Sequence, residues 1–447
     1  MAKQVSAKTK LRKAIQPLEA SLLSQYYFSV QDYLKYEDKL KLLGKYILNQ
    51  LPGTSVSTQP EITFFLYSKA CERMLIPLLV NLLQRPEVKN NELKVNLIVL
   101  NGVHQLKLTP SNSQKLEALN CPIQTDYIKL IEACKHPENK LVVVCLDHRM
   151  MYEFHQCGVD TVDRLKTFGV KTLSIQHGGT RRDSVAGLAT TVSDKFMVWG
   201  KRVERELIHQ YSVDSSRVRL VGNPLHDRLA HLDSKQVRER LVARYPQVSE
   251  KLESRKIVSV ATCLHTEYKG YENEQELYRK WIQLLYQGLD FDRVLLLVKM
   301  HPNDSKNPNL YRQAAEEISN SDSIIVIEPE ITELDVYGIL SISDLLLTRC
   351  STVAEEALMM GKKVVAFDLF EDGPSKGYKH LEEYGSYRTA YASPDNALNN
   401  AISAALFSEE AVESSLNVAE DITYRLDGNS TNRAVDEILT EVLASHH

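Results

Sequence analysis

From residue 62 onward the chain alternates short, unbroken apolar runs with stretches of helical spacing. The runs are Ile62–Tyr67, Val95–Leu100, Leu141–Leu146, Thr172–Gln176, Phe196–Trp199 and Val218–Val221. After a charged stretch the pattern restarts with Ile257–Ala261, Val294–Met300, Ile324–Ile327, Asp344–Leu347 and Lys363–Phe367. A strand with one wet face alternates polar and apolar residues. An unbroken run is buried on both faces, as in a parallel sheet covered by helices. The intervening segments predict those helices: Lys69–Leu83 stopped at Arg85-Pro86, Gln275–Leu289, Ser351–Met360 capped by Gly361, and Arg433–Leu443. Pro77 argues against one unbroken helix over 69–83. Two doubly wound α/β domains follow. The division expected is a helical N-terminal segment over 1–53, a first Rossmann-like domain over 54–230, a hinge helix over 231–255, a second Rossmann-like domain over 256–430 and a C-terminal helix over 431–447. The hinge is expected to be exposed, because 230–255 is rich in Arg, Lys, Glu and Asp and contains Pro246.

Composition narrows the function. Hydrophobic residues make up 43% of the 447 and charged residues 25%, which excludes a disordered chain or a disulfide-framed miniprotein. A net charge of −4 gives no global pull toward nucleic acid. The seven cysteines are widely spaced with no CxxC, so they read as buried thiols of a reducing compartment. No apolar run approaches the roughly 18 residues of a membrane span, and no secretory leader is visible. These features predict a cytoplasmic protein. Lys3, Lys8, Lys10, Arg12 and Lys13, with no acid among residues 1–13, suggest either a solvated terminus or a weak peripheral contact with anionic lipid. Residues 17–50 have helical spacing, ended by Pro52-Gly53.

In open parallel sheets ligands bind beyond the carboxyl ends of the strands, where helix N-termini present N–H groups to anions. Polar clusters stand at those ends. Thr348-Arg349-Cys350-Ser351-Thr352 leads a buried strand into a helix, with Ser351 as the expected N-cap; Ser351 and Thr352 are candidates to cradle a phosphate. Glu355, one turn on, either closes a capping loop or accepts from a ribose hydroxyl, and Glu356 is expected nearer solvent or the sheet. Lys299-Met300-His301-Pro302 ends another strand, and His301 is a candidate phosphate donor. In the first half, His177-Gly178-Gly179 ends a strand with bare backbone, suiting His177 to general-base work; Arg181 follows, and Gly222-Asn223-Pro224 ends a further strand. Asp290-Phe291-Asp292 precedes a strand and reads as a surface turn. No dinucleotide-binding glycine fingerprint, Walker loop, zinc helix or hydrolase elbow occurs, and the acids and histidines lack metal-ligand spacing.

His-Gly, Gly-Asn-Pro, His-Pro and Ser-Thr-x-x-Glu-Glu-Ala in this order resemble the GT-B superfamily of glycosyltransferases. The flavour is that of bacterial surface-polysaccharide enzymes: CDP-glycerol glycerophosphotransferases, polysialyltransferases and capsule Kdo transferases. The resemblance covers about residues 170–375. It implies two Rossmann-like domains facing a cleft, a nucleotide-activated sugar donor and a glycan or lipid-linked glycan acceptor, without metal or other cofactor. It implies His177 as the catalytic base or an acceptor-side residue, and His301, Ser351 and Thr352 on the donor phosphate; Lys299 and Glu355, beside them in the sequence, are expected on the donor as well. Gly178, Gly179, Arg181 and Asn223 would lie toward the acceptor or cleft. Two motifs depart from the group: the turn is Gln-His-Gly-Gly-Thr, and the acidic Glu371-Asp372-Gly373 lies in the second domain. UDP-N-acetylglucosamine 2-epimerases share Gly-Asn, His-Pro and the Glu-Glu helix, and are the alternative enzyme class. A non-catalytic GT-B-like glycan-binding protein is the third. The expected function is transfer of a sugar or polyol phosphate to a surface glycan.

Overall fold

A computed structural model describes residues 59–100, 106–125, 127–262, 268, 271–304, 309–318, 321–393, 395, 397–408 and 415–443. The basic 1–13 stretch, the helix expected over 17–50, Cys263 and His446-His447 lie outside these residues. The first sheet has seven strands: β1 (Glu61–Leu66), β2 (Lys94–Val99), β3 (Ile123–Gln124), β4 (Lys140–Cys145), β5 (Lys171–Ile175), β6 (Lys195–Val198) and β7 (Val218–Leu220). Their order is β3-β2-β1-β4-β5-β6-β7. The second has six: β8 (Lys256–Ala261), β9 (Val294–Lys299), β10 (Ile324–Ile327), β11 (Leu345–Thr348), β12 (Lys363–Asp368) and β13 (Tyr387–Tyr391), in the order β10-β9-β8-β11-β12-β13. Every pairing is parallel. In each sheet the chain reverses its direction of travel once, between β1 and β4 and between β8 and β11. These are the switch points where a crevice opens.

The unbroken apolar runs are buried as their sequence requires: every residue of β1, β4 and β9 is buried. At the amino ends of β1 and β4 the register sets Glu61 opposite Lys140, and the carboxylate and ammonium meet at 2.6 Å. The helix expected to break at Pro77 runs unbroken from Lys69 to Leu82. Leu75, Ile76, Leu78 and Leu79 on either side of the proline are buried, and this packing offsets the missing N–H. Ser68 starts the helix by accepting from the Cys71 N–H.

The 231–255 segment is not an exposed hinge. It forms the helices Ser234–Arg244 and Ser249–Ser254 joined by the 3-10 turn Pro246–Val248, and Val237, Leu241, Val248 and Leu252 are buried with Ile257, Leu295 and Leu297 of the second sheet. The charges that suggested a hinge occupy the outer face of this cover. The crossing between the sheets falls earlier, in the 3-10 turns Pro224–His231. The C-terminal helix Ser430–Leu443 crosses back, burying Ala434, Val435, Ile438 and Val442 in the core of the first sheet. Of the described cysteines, Cys71, Cys121, Cys134, Cys145 and Cys157 are buried, Cys350 is partly exposed, and no disulfide joins any of them. No described helix is long and apolar enough to cross a membrane.

Candidate functional site

A cavity of about 490 Å3 opens at the carboxyl ends of β8, β9, β10 and β11, beside the switch point of the second sheet. Thr262, Lys299, His301, Asp335 and Ser351 line it, and Arg228 reaches it from the crossing segment. Its floor is organised by Thr262, whose hydroxyl donates to Asp304 and accepts from the His301 N–H at 2.8 Å, fixing the His-Pro turn. Lys299 borders the cavity, but its ammonium donates to the Glu328 and Ile331 carbonyls at 2.8 and 3.0 Å. Burial pulls its pKa down against the pull of Asp335, Glu330 and Glu333. The lysine expected on the donor therefore has two of its three protons committed to the loop after β10.

The helix after β11 starts at Val353, one step later than expected, with Thr352 rather than Ser351 as N-cap. Thr352 makes no side-chain cap bond, whereas the Ser351 hydroxyl accepts from the Val353 N–H at 3.3 Å. Ser351 lines the cavity and Thr352 does not. Glu355 is 1% exposed and points to the first domain, where it accepts from the Thr180 N–H at 2.6 Å and the Thr180 hydroxyl at 2.8 Å. Burial raises its pKa to about 7, opposed by the Thr180 hydrogen bonds and supported by neighbouring Glu356. It clasps the two sheets together instead of lining the cavity. Glu356, expected nearer solvent or the sheet, is also buried; it accepts from the Tyr337 hydroxyl at 2.8 Å and lies 3.3 Å from His226 Nε2.

The glycines of the first-sheet turn have separate reasons. Gly178 adopts φ +93°, where a side chain is strained. A Cβ at Gly179 would collide with the Glu355 carboxylate, so bare backbone permits the clasp. His177 precedes them, partly exposed at the end of β5. Burial, with help from the positive charge of Arg73 and from His148, lowers its pKa to about 4, leaving the imidazole neutral at pH 7. His148 and His155 are buried nearby, with ring centroids 4.9 Å apart and pKa values lowered chiefly by burial, that of His155 to about 4. The acid of this region, Asp147, is fully buried and accepts from Ser174 Oγ at 2.5 Å, Ser193 N at 2.9 Å and Ser193 Oγ at 2.6 Å.

Two of the residues expected toward an acceptor serve the fold. Asn223 is 2% exposed; its Oδ1 caps the crossing turn through the Leu225 N–H at 3.0 Å, and its Nδ2 meets His226. Arg181 pairs with Asp183 at 2.7 Å and reaches across to Cys350 and the Tyr378 ring. The structure brings Lys299, His301 and Ser351 together, separates Thr352 and Glu355 from them, and sets His177 on the other sheet. Sequence reasoning missed Arg228, Asp335, Thr262, Arg73 and the His148–His155 pair. Thr262 and His148 stand at strand ends, a signal that was available; Arg228 and Asp335 stand on turns outside any motif. Among the described residues, no group of three or more His, Cys, Asp or Glu is arranged to hold a metal ion.

A family model described as UDP-N-acetylglucosamine 2-epimerase matches residues 183–370, spanning Arg228, His301, Asp335 and Ser351. No curated protein sequence matches the chain. Among solved structures, the UDP-GlcNAc 2-epimerase of Neisseria meningitidis bound to UDP-GlcNAc is similar with a TM-score of 0.54 and 14% identity, over 85% of this chain and 100% of that one. The S. aureus MnaA–UDP co-structure gives 0.53 and 17%, over 86% and 97%. The UDP-GlcNAc 2-epimerase of Methanocaldococcus jannaschii gives 0.52 and 13%, over 85% and 99%. At these identities the structural likeness establishes the fold. The family match overturns the expected surface-polysaccharide transferase in favour of the alternative enzyme class. The chain has the GT-B fold, and its 183–370 segment is similar to the UDP-GlcNAc 2-epimerase family.

Proposed function

We propose that this protein is a nucleotide-sugar enzyme of the UDP-GlcNAc 2-epimerase type. The observation that carries the proposal is the family match, because residues 183–370 supply the cavity's Arg228, Thr262, His301, Asp335 and Ser351. In this reading the nucleotide occupies the cavity, and its phosphates lie toward His301 and the Ser351 turn. The sugar extends toward the first sheet and His177. No glycan acceptor is required.

Inverting a carbon that carries hydrogen requires the hydrogen to leave one face and return to the other, so the site needs groups that take and give a proton. His177 is our candidate for one of them. In the protein alone it is a weak base, with a pKa of about 4. Neutral at pH 7, it is in the form that accepts a proton and, being a weak base, returns that proton readily. The test is incubation with UDP-GlcNAc in deuterated water, followed by NMR. Deuterium at the sugar C2, with appearance of the C2 epimer, supports the proposal. Unchanged sugar with no label after prolonged incubation, in a sample that binds UDP, refutes it.

A further inference from the structure

We infer that Arg228 anchors the phosphate end of the nucleotide, acting from the segment that joins the two sheets; the inference rests on the nucleotide reading of the cavity. Arg228 lines the cavity with Lys299, His301 and Ser351, against one lining carboxylate, Asp335. That balance favours an anion. The guanidinium is half-exposed and forms an ion pair with Asp335. It also lies over the Tyr337 ring, with its central carbon 4.8 Å from the ring centroid. Tyr337 is itself tethered through its hydroxyl to buried Glu356 at 2.8 Å. The ring against which the guanidinium rests is thus itself anchored to the second sheet's helix.

Asp335 is an incomplete partner for that fork. Its Oδ1 accepts from the Gly338 N–H at 2.8 Å, capping the Val336–Ile342 helix, so only Oδ2 serves Arg228. A phosphate offers several oxygens and more charge, and matches a guanidinium in two-pronged geometry. It would draw Arg228 from the carboxylate while Asp335 keeps its cap. The position has a second consequence. One residue earlier, Asp227 accepts from the Ser430 and Thr431 N–H groups at 2.7 and 2.8 Å, starting the helix that returns to the first sheet. Two residues earlier, His226 meets Glu356 of the second sheet. A ligand that pulls on Arg228 therefore pulls on the junction of both chain crossings.

The experiment is calorimetric titration of the full chain with UDP, UMP and uridine, on the wild type, Arg228→Gln, Arg228→Lys and Asp335→Asn. Arg228→Gln is expected to weaken UDP by about ten- to hundredfold, UMP by less, and uridine hardly at all, as loss of a charged hydrogen bond to phosphate dictates. Arg228→Lys, which keeps the charge and loses the fork, falls between, and decides the matter if the glutamine variant does not fold. Asp335→Asn preserves an oxygen for the Gly338 cap and removes the competing charge, so it tightens UDP severalfold. Unchanged UDP affinity in both arginine variants overturns the inference, as does an equal loss for uridine, which marks a collapsed cavity. A folded wild type that binds no UDP overturns the nucleotide reading and this inference with it. Binding by the wild type with no effect at Arg228 overturns this inference alone.

Discussion

The first sheet and the second share a winding, a switch point and a set of polar loops at their carboxyl edge, yet they use those loops differently. Around β4 and β5 the acid is spent on its neighbours: Asp147 takes three hydrogen bonds from two serines, and two buried imidazoles stack edge to face beside it, with His148 Nε2 and His155 Nδ1 making no hydrogen bond among the described residues. Around β8, β9 and β11 the loops stand apart: Thr262 is spent on holding the His-Pro turn, and His301 and Ser351 border open space. A carboxylate at a strand end is therefore poor evidence of catalysis until its partners are known. The topology supplies a crevice in both halves, and the pairing of side chains decides whether a ligand finds polar groups available there.

That contrast breaks most sharply at Asp147. Asp147→Ala leaves three buried donors without an acceptor and should cost about 3–5 kcal/mol of stability, read by urea unfolding. A change below about 1 kcal/mol would mean that the site is not structural. Next comes His177, which is partly exposed where His148 and His155 are buried. His177→Ala is expected to lower epimerisation by about 10²–10⁴ while UDP titrates almost as before, because the proposed nucleotide site lies on the other sheet. Equal losses of turnover and UDP affinity would erase the division of labour. A smaller effect sharpens the second-sheet side: Ser351→Ala should weaken UDP by about tenfold, the value of one charged hydrogen bond, and Thr352→Val should leave it unchanged. A matching loss at Thr352 would move the cavity's edge.

A pH-dependent effect concerns the clasp between the halves. Glu355 has a pKa of about 7 in the folded chain, raised mainly by burial from an ordinary value of 4.5. The folded state thus holds its proton more tightly than the unfolded one. The stability contributed by that carboxyl is full below about pH 4.5 and is lost as pH rises through about 7. Glu355→Gln cannot titrate, so the gap in Tm between wild type and variant should change across that window and be flat on either side. A gap that is constant from pH 4 to 8 would show that the carboxyl ionises in the folded chain as it does in water.

Eleven of the strands were legible as unbroken apolar runs, each within a residue or two of its observed ends. The two that escaped, β3 and β13, explain the limit. Ile123–Gln124 is too short to form a run, and Tyr-Arg-Thr-Ala-Tyr at the sheet edge is only partly buried and carries polar residues. The apolar criterion sees strands with two covered faces and little else. Charge misled over 231–255 because it describes one face of a helix and says nothing about the other. Strand ends visible in the sequence marked His301 and Ser351, which line the cavity, and His177, which follows β5. The motifs misplaced the task of Glu355, whose partner Thr180 is 175 positions away, and they could not find Arg228, which no pattern of neighbours distinguishes from an ordinary surface arginine.

The return of the Ser430–Leu443 helix to the first sheet makes that half of the molecule discontinuous in the gene. Its last layer is synthesised after the whole of the second half, so a nascent chain halted near residue 230 lacks the side chains of Val435 and Ile438 that complete its core. Exchange of the first half with that of a distant homologue is accordingly a three-piece graft: the tail must travel with the leading segment, or the recipient inherits a helix shaped for a surface that has been removed.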